Sequence, residues 1–254
     1  MALSVIIPTL NEDRYLEAAV VAVRRYATTR SGPEIVVADC DSRDDTRRIA
    51  RRLGVRLATS DVPPTSRAQA VNLGASQATG DELLFLDADT IPPPAYDRSI
   101  ADVLRKGAVA GAFEFKLDGT HPGLRLVEVI NRIRYRLWPW YYGDQGIFVR
   151  RSVFEAIGGY PERGLMEASA FCMRLRREGK LTLIHKPMVT SSRRFLEGGV
   201  FRVFASDVKY WYYDLVGRDI EAFANAYRAN NLGRGGKKAE PSRFSNSSTS
   251  ISVS

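Results

Sequence analysis

Short apolar runs alternate with helix-length segments through the first third of this chain, and that alternation restricts the fold more than any other feature. Leu3 to Pro8 (LSVIIP), Glu34 to Asp39 (EIVVAD), Val55 to Ala58 and Glu82 to Leu86 (ELLFL) read as buried strands. Between them Tyr15, Leu16, Ala19, Val20 and Val23 recur at helical spacing, and Asp44 to Leu53 and Ser66 to Ala78 read as helices. Strands that are apolar on both faces and alternate with helices predict a parallel sheet of βα units. Such sheets bind ligands beyond the carboxyl ends of their strands. Acids follow three of these runs: Glu12 after the first, Asp39 and Asp41 after the second, Asp87 and Asp89 after the fourth.

The second half follows a different pattern. Val109 to Leu117 alternates, with Val109, Gly111, Phe113, Phe115 and Leu117 on one face, and fits an antiparallel strand. Leu124 to Leu137 reads as a helix carrying Arg125, Arg132, Arg134 and Arg136, and Trp138 to Tyr142 is a dense aromatic break. Strands are expected over Gly146 to Val149 and Leu181 to Ile184, with a helix over Met166 to Glu178. Phe201, Phe204, Val208, Trp211, Tyr212 and Leu215 form a helical stripe, and Ile220, Phe223 and Tyr227 suggest a further helix. Residues 233–254, rich in Gly, Lys and Ser, read as a disordered basic tail.

Composition narrows the function. With 254 residues, 44% apolar and 26% charged, the chain is an ordinary globular one, neither collagen-like nor wholly disordered. Two cysteines, Cys40 and Cys172, cannot build a disulfide framework or a four-cysteine zinc site, which fits a reducing compartment. The opening residues lack a signal-peptide pattern, and no apolar run approaches the ~20 residues that span a bilayer. A cytoplasmic protein is expected, at most peripheral on a membrane surface. The net charge of +8 raises phosphorylated substrates, anionic lipid and nucleic acid as partners; the tail supplies three of those charges. Nucleic acid is disfavoured, because no RNP-type aromatic motif or zinc ligand set accompanies the charge. The absence of Gly-x-Gly-x-x-Gly disfavours a dinucleotide enzyme, and the Pro8-Thr9-Leu10-Asn11 loop, with no glycine, disfavours a nucleotidyltransferase.

Asp87-Ala88-Asp89 is the most informative stretch. Two carboxylates one residue apart, just past a buried strand, suit a hard divalent cation such as Mg²⁺ or Mn²⁺ that completes its shell with phosphate oxygens. The competing reading is a solvated loop before Pro92-Pro93-Pro94.

Ser4 to Glu12 (SVIIPTLNE), Val36 to Thr46 (VVADCDSRDDT), Asn72 to Ala75 (NLGA) and Leu84 to Asp89 (LFLDAD) resemble, in order and spacing, the nucleotide-sugar domain of glycosyltransferase family 2. Tyr142 to Arg151 (YGDQGIFVRR), Ile157 to Pro161, Leu165 to Glu167 and Thr190 to Arg194 (TSSRR) look like a small bacterial-type subfamily of it. The resemblance implies a GT-A fold: a Rossmann-like, mostly parallel α/β sheet flanked by helices, with C-terminal helices. It implies one domain over residues 1–232, with a nucleotide half of about 1–107 and an acceptor half of about 108–232. It also implies a metal-dependent, inverting transfer from a nucleoside-diphosphate sugar, UDP-linked, to an unknown hydroxyl acceptor. Pro8, Thr9 and Glu12 then border the nucleotide, Asp39 reads the base, Arg67 lies near base or diphosphate, Asp87 near ribose and metal, and Asp89 is the main metal ligand.

The match fails at one place. Family 2 normally carries its catalytic base as the Asp of a Glu-Asp pair opening the helix after the Gly-Gly-aromatic-Pro turn; here Glu167 is followed by Ala168, and Ala170 replaces a further acid. A methyl group cannot take a proton. Three readings stay open: Glu167 is the base, Asp144 is the base, or the protein is a catalytically impaired nucleotide-sugar binder. Arg193 and Arg194 are further diphosphate-binding residues, with surface solvation as the alternative. His185 could be a third metal ligand but is more simply structural. Trp138, Trp140, Tyr141 and Tyr142 could stack on a sugar or cover lipid, though a packed corner suits at least two of them. The Phe201 to Leu215 stripe, with Arg202 and Lys209 beside it, could lie on an anionic membrane, or simply pack back over the sheet, which is the simpler expectation.

Overall fold

In the computed structural model the described residues are 2–62, 66–138 and 140–216, so the helix expected around Ile220 to Tyr227 and the tail at 233–254 lie outside them. The elements in chain order are β1 (Leu3–Thr9), α1 (Leu16–Tyr26), β2 (Glu34–Cys40), α2 (Thr46–Arg52), β3 (Arg56–Ser60), α3 (Arg67–Gln77), β4 (Glu82–Phe85), β5 (Thr90–Ile91), α4 (Tyr96–Arg105), β6 (Ala110–Leu117), α5 (Pro122–Leu137), β7 (Ile147–Arg150), α6 (Arg151–Ala156), α7 (Glu167–Glu178), β8 (Leu181–Thr190), α8 (Arg193–Gly198) and α9 (Val200–Leu215). A 3₁₀ turn over Gly143–Gln145 precedes β7.

One eight-stranded sheet runs in the order β3-β2-β1-β4-β7-β6-β8-β5. Its first four strands are parallel, as the alternation predicts. β7 enters antiparallel between β4 and β6, β8 lies parallel to β6, and β5 closes the far edge antiparallel to β8. Both faces of the central strands are covered. Val5 and Ile7 of β1 pack with Leu16, Val20 and Val23 of α1, while Ile6 packs on the other face with Val71 and Ala75 of α3. That period of two, apolar on both sides, is why LSVIIP reads as a continuous run.

Three expectations are corrected. β6 does not keep one face: Phe113 belongs to one side of the core, Phe115 and Leu117 to the other. The change coincides with a break in register, where Phe113 pairs Ile184 but Glu114 pairs Pro187. β8 runs on to Thr190 rather than stopping near Ile184, because after the bulge at His185 and Lys186 it resumes its pairing with β6. Finally, the stripe on α9 does not pack over the sheet. Phe204 is half-buried against the core, but Phe201, Val208, Tyr212 and Leu215 are exposed, and Val200 alone of the helix is buried.

Candidate active site

The carboxyl ends of β1, β2 and β4 share one edge, with Thr9 opposite Asp39 and Ile6 opposite Phe85. Because β7 is antiparallel, its amino end reaches the same edge, where Ile147 pairs Phe85. The prolonged β8 ends there too, Thr190 pairing Thr90 and Leu117. Glu12, Asp39, Asp87, Asp89, Asp144 and Arg193 therefore converge although they are scattered along the chain. A separate cavity of about 540 Å³, lined by Arg24, Arg30, Glu34 and Arg56 among others, opens at the opposite end of β2 and holds none of these acids.

The loops after β1 and β2 are laced together. The Glu12 amide donates to Thr46 Oγ1 at 2.8 Å, the Asn11 amide to Ser42 Oγ at 2.8 Å, the Asp13 amide to Asp44 Oδ2 at 3.1 Å, and the Arg43 amide to Asn11 Oδ1 at 2.8 Å. The Asp-Ser-Arg-Asp-Asp-Thr run thus fixes the loop bearing Glu12. Asn11 and Asp41, both at positive φ, are residue types that tolerate that conformation. Pro8 and Thr9 end β1 against Ala38 and Asp39. Asp39 is fully buried and its oxygens are occupied: Oδ2 accepts from Thr9 Oγ1 at 3.0 Å, and Oδ1 accepts from the Ser42 amide and from Arg47 Nε.

Two arginines bridge the remaining acids. Arg67, at the start of α3, donates through Nε to Asp87 Oδ1 at 2.9 Å and through a second, shorter contact, and lies 3.7 Å from Glu167. Burial works against the Arg67 cation, but Asp87 and Glu167 outweigh it and raise its pKa. Burial also raises the Glu167 pKa, against the pull of Arg67. Arg193 donates to Glu12 at 2.8 and 3.1 Å, lies 3.3 Å from Asp89 and stacks over the Tyr15 ring at 4.4 Å. Desolvation pushes Glu12 up to about 7 and Asp89 up to about 6, in each case against Arg193. Thr190, held by Thr90 at 2.9 Å, donates weakly to Asp89 at 3.4 Å.

The Tyr-Gly-Asp-Gln-Gly run builds a turn around Asp144. Gln145 is buried, accepting from the Tyr142 amide and donating to the Phe113 carbonyl, both at 3.1 Å. Gly143 allows close approach, since a Cβ there would lie 2.9 Å from Arg67 Cζ, and Gly146 turns the chain at φ 58°. Asp144 thereby faces the cluster without a direct hydrogen bond or ion pair among the described residues. Burial first, then the charge of Asp87, pushes its pKa up to about 7, with Arg194 and Arg134 pulling the other way.

Other expected site residues fall less centrally. Arg194 forms a two-pronged pair with Asp207 of α9, at 2.8 and 2.6 Å. His185 is exposed in the β6–β8 bulge, 3.1 Å from Glu114 and away from Asp87 and Asp89. Of the aromatic break, Tyr141 is buried, Tyr142 lies under Arg134 at 4.3 Å, and Trp138 is exposed beside Trp211. Ala168 and Ala170 are buried in the core beside Phe171, so the usual base position faces packing. Sequence reasoning missed Arg47, Arg134 and Asp207. Arg47 lies in α2, just after the loop that pairs with it, a weak signal; Asp207 gave none, because its pairing with Arg194 joins two different helices, α8 and α9.

Asp87 and Asp89 offer two hard carboxylates, a donor set suited to Mg²⁺ or Mn²⁺ that takes its other oxygens from a diphosphate and water. Among the described residues no three His, Cys, Asp or Glu side chains gather into a self-sufficient metal site, so any cation there would rely on such outside ligands.

Residues 4–158 match the model of glycosyl transferase family 2. The chain belongs to this family. Among relatives, it is 36% identical over 174 residues to the succinoglycan biosynthesis protein ExoA of Rhizobium meliloti, covering 62% of this chain and 52% of that one. It is 34% identical over 102 residues to a validoxylamine A glucosyltransferase of Streptomyces hygroscopicus, covering 39% of this chain and 22% of that one. The family 2 chain thus spans about half or less of these relatives. Solved structures agree in fold. A mannosyltransferase from Pyrobaculum calidifontis in complex with GDP-Man and Mn²⁺ aligns with TM-score 0.65 at 19% identity, over 91% of this chain and 70% of that one. Glucosyl-3-phosphoglycerate synthase from Mycobacterium tuberculosis, in complex with Mn²⁺ and UDP-glucose, aligns with TM-score 0.60 at 19% identity, over 86% and 80%. The mixed sheet with helices on both faces is the GT-A fold of family 2.

Proposed function

We propose that this family 2 chain transfers a sugar from a nucleoside-diphosphate donor, UDP-linked, to a hydroxyl acceptor with inversion, and that Asp144 is the catalytic base. The observation that carries the choice of base is the pairing pattern at the sheet edge. Glu12, Asp39, Asp87, Asp89 and Glu167 each have an arginine beside them, whereas Asp144 has none in direct contact among the described residues. A carboxylate held near neutral pH, with no bound cation, accepts a proton more readily than one committed to a guanidinium.

In the step itself Asp144 takes the acceptor hydroxyl proton as that oxygen attacks the anomeric carbon. The bond from that carbon to the diphosphate oxygen breaks, and the nucleoside diphosphate leaves with the electron pair. The developing positive character of the sugar ring resembles that in glycoside hydrolysis. For Asp39, at the end of β2 beside Thr9, to read the base, its buried carboxylate would exchange its contact with Arg47 for the base edge. Arg67 and Arg193 are placed to pass from their carboxylates to the donor diphosphate. A divalent cation on Asp87 and Asp89 would supply positive charge to the leaving diphosphate.

A second reading, nucleotide-sugar binding with little transfer, is favoured by Ala168 lying in the core and Glu167 being held by Arg67. One experiment separates them. Thermal shift with UDP-, GDP- and dTDP-sugars, with and without Mn²⁺, reports binding. Release of nucleoside diphosphate over an acceptor panel reports transfer. Binding with transfer that Asp144→Asn abolishes supports the enzyme. Binding without release across the panel supports the binder. A metal-independent absence of any shift removes both.

A further inference from the structure

Helices α5 and α9 each leave a large apolar surface exposed besides the face they bury. They lie side by side: Val200 at the start of α9 sits against Gly123 at the start of α5, and Trp211 near its other end lies 6.5 Å from Trp138, just past the end of α5. An ordinary surface helix buries apolar residues and exposes charge. Here the acids point inward. Glu128 is buried, its Oε1 accepting from the Leu117 amide and its Oε2 paired with Arg125. Asp207 pairs with Arg194, and Asp214 pairs with Arg163 at 3.0 Å and accepts from Ser169 at 3.0 Å. Leu124, Val127 and Tyr135 of α5 and Val200 of α9 are buried, but many of the other apolar residues point outward. Leu126, Ile133 and Leu137 of α5 are exposed by 49%, 56% and 63%, and Phe201, Val208 and Tyr212 of α9 by 66%, 42% and 53%.

The exposed charge that the two helices themselves contribute has one sign, although Arg136 is paired with Glu114 of β6 at 3.6 Å. Glu128, Asp207 and Asp214 are the only acids on the two helices, and all are engaged inward. The exposed charged side chains are Arg132, Arg136, Arg202 and Lys209. Apolar stripes bordered by Arg132, Arg202 and Lys209 match an anionic bilayer surface: rings and aliphatic chains enter the acyl boundary while the cations meet headgroups. No helix among the described residues is long and apolar enough to cross a membrane, so the contact would be a face lying on the surface.

We propose that the paired outer face of α5 and α9 docks on an anionic lipid bilayer. The inference goes beyond sugar transfer and does not depend on it. Asp207 ties α9 to the candidate site through Arg194, on the segment that begins with Arg193. Docking would therefore hold the sheet edge at a fixed relation to the membrane.

The test is co-sedimentation of the whole chain with phosphatidylcholine vesicles and with vesicles containing phosphatidylglycerol. The expected result is binding to the anionic vesicles alone, weakened by salt. The paired substitutions Ile133→Glu and Tyr212→Glu, one on each helix and both exposed, should weaken it about tenfold or more, since each removes an apolar group from the interface and adds a repelled charge. Nucleotide-induced thermal shifts should be unchanged in that variant, which separates this outcome from failure of the transferase reading. Absence of sedimentation with anionic vesicles at low salt overturns the proposal. So does light scattering that shows a dimer which the same substitutions dissociate, because the face would then be covered by a second copy.

Discussion

The two halves of the sheet treat charge differently. In the parallel half, β1 to β4, each acid at the carboxyl edge is met by a cation or by backbone amides: Asp39 by Arg47 and Ser42, Asp87 by Arg67, Asp44 by the amides of Asp13 and Thr46. In the half built from β6, β7, β8 and α5 to α9, one acid at that edge, Asp144, has no hydrogen-bond or ion-pair partner among the described residues, and two helices engage their acids inward while exposing part of their apolar surface. The lesson is a division of labour. On the proposed function, the first half would offer a polar frame to a charged donor and the second the group that accepts the proton. Arg67 and Arg193 join them, the first reaching Glu167 of α7 and the second reaching back to Glu12 and Asp89.

The largest expected effect strikes at that division. Asp144→Asn should lower transfer about a thousandfold, the range for loss of a positioned acid–base group, while leaving nucleotide-induced thermal shifts intact. Glu167→Gln should retain activity within a few-fold, and the reverse ranking in the same assay would move the base to Glu167. Next, Asp89→Asn should cut transfer about a hundredfold, as for removal of one electrostatic stabiliser, and abolish the Mn²⁺ dependence of nucleotide binding. If both survive, the paired acids of the first half serve the fold rather than the donor.

A pH series sharpens the contrast. Asp144 must be ionised to accept a proton, and burial holds it at about 7, so transfer should rise with pH through that region and level off above it. Arg194 and Arg134 pull this pKa down, so Arg194→Ala should move the midpoint upward; an unmoved midpoint would assign the titration to another group. The linked effect on stability has the opposite sign. The folded pKa lies above the unfolded one, so the stabilising effect of the proton is complete below the unfolded value and lost as pH rises through about 7.

Smaller effects test the frame alone. Asn72 of α3 exchanges two hydrogen bonds of 2.9 Å with the Tyr160 backbone and so anchors the Gly-Gly-Tyr-Pro turn. Asn72→Ala should cost about 1–3 kcal/mol by leaving those groups unpaired, read as a fall in melting temperature. By contrast Ile133→Glu, on the exposed stripe, should change stability by no more than ~0.5 kcal/mol, since nothing in the described protein packs on it. A large loss there would mean that the stripe is covered.

Reading the chain alone located the parallel half well, because its signals are local. Buried strands show as β-branched runs, helices as repeated apolar spacing, and the acids that matter follow strand ends within a few residues. Glu12, Asp39, Asp87 and Asp89 stand out as candidates that way, whereas the Tyr-Gly-Asp-Gln-Gly run stands out only through the resemblance to family 2. What tertiary structure decided was partnership and direction. The sequence of β8 breaks at His185-Lys186-Pro187, and only its resumed pairing with β6 carries Thr190 and Arg193 to the site edge. The pairing of Arg193 with Glu12 spans almost the whole described chain, which no local pattern encodes. The stripe on α9 has the spacing of a core-facing helix, yet Asp207 and Asp214 engage the half-buried Arg194 and Arg163 and much of the stripe is exposed. Periodicity states that a helix has two faces; which face is buried is settled by the charges waiting on the neighbouring elements.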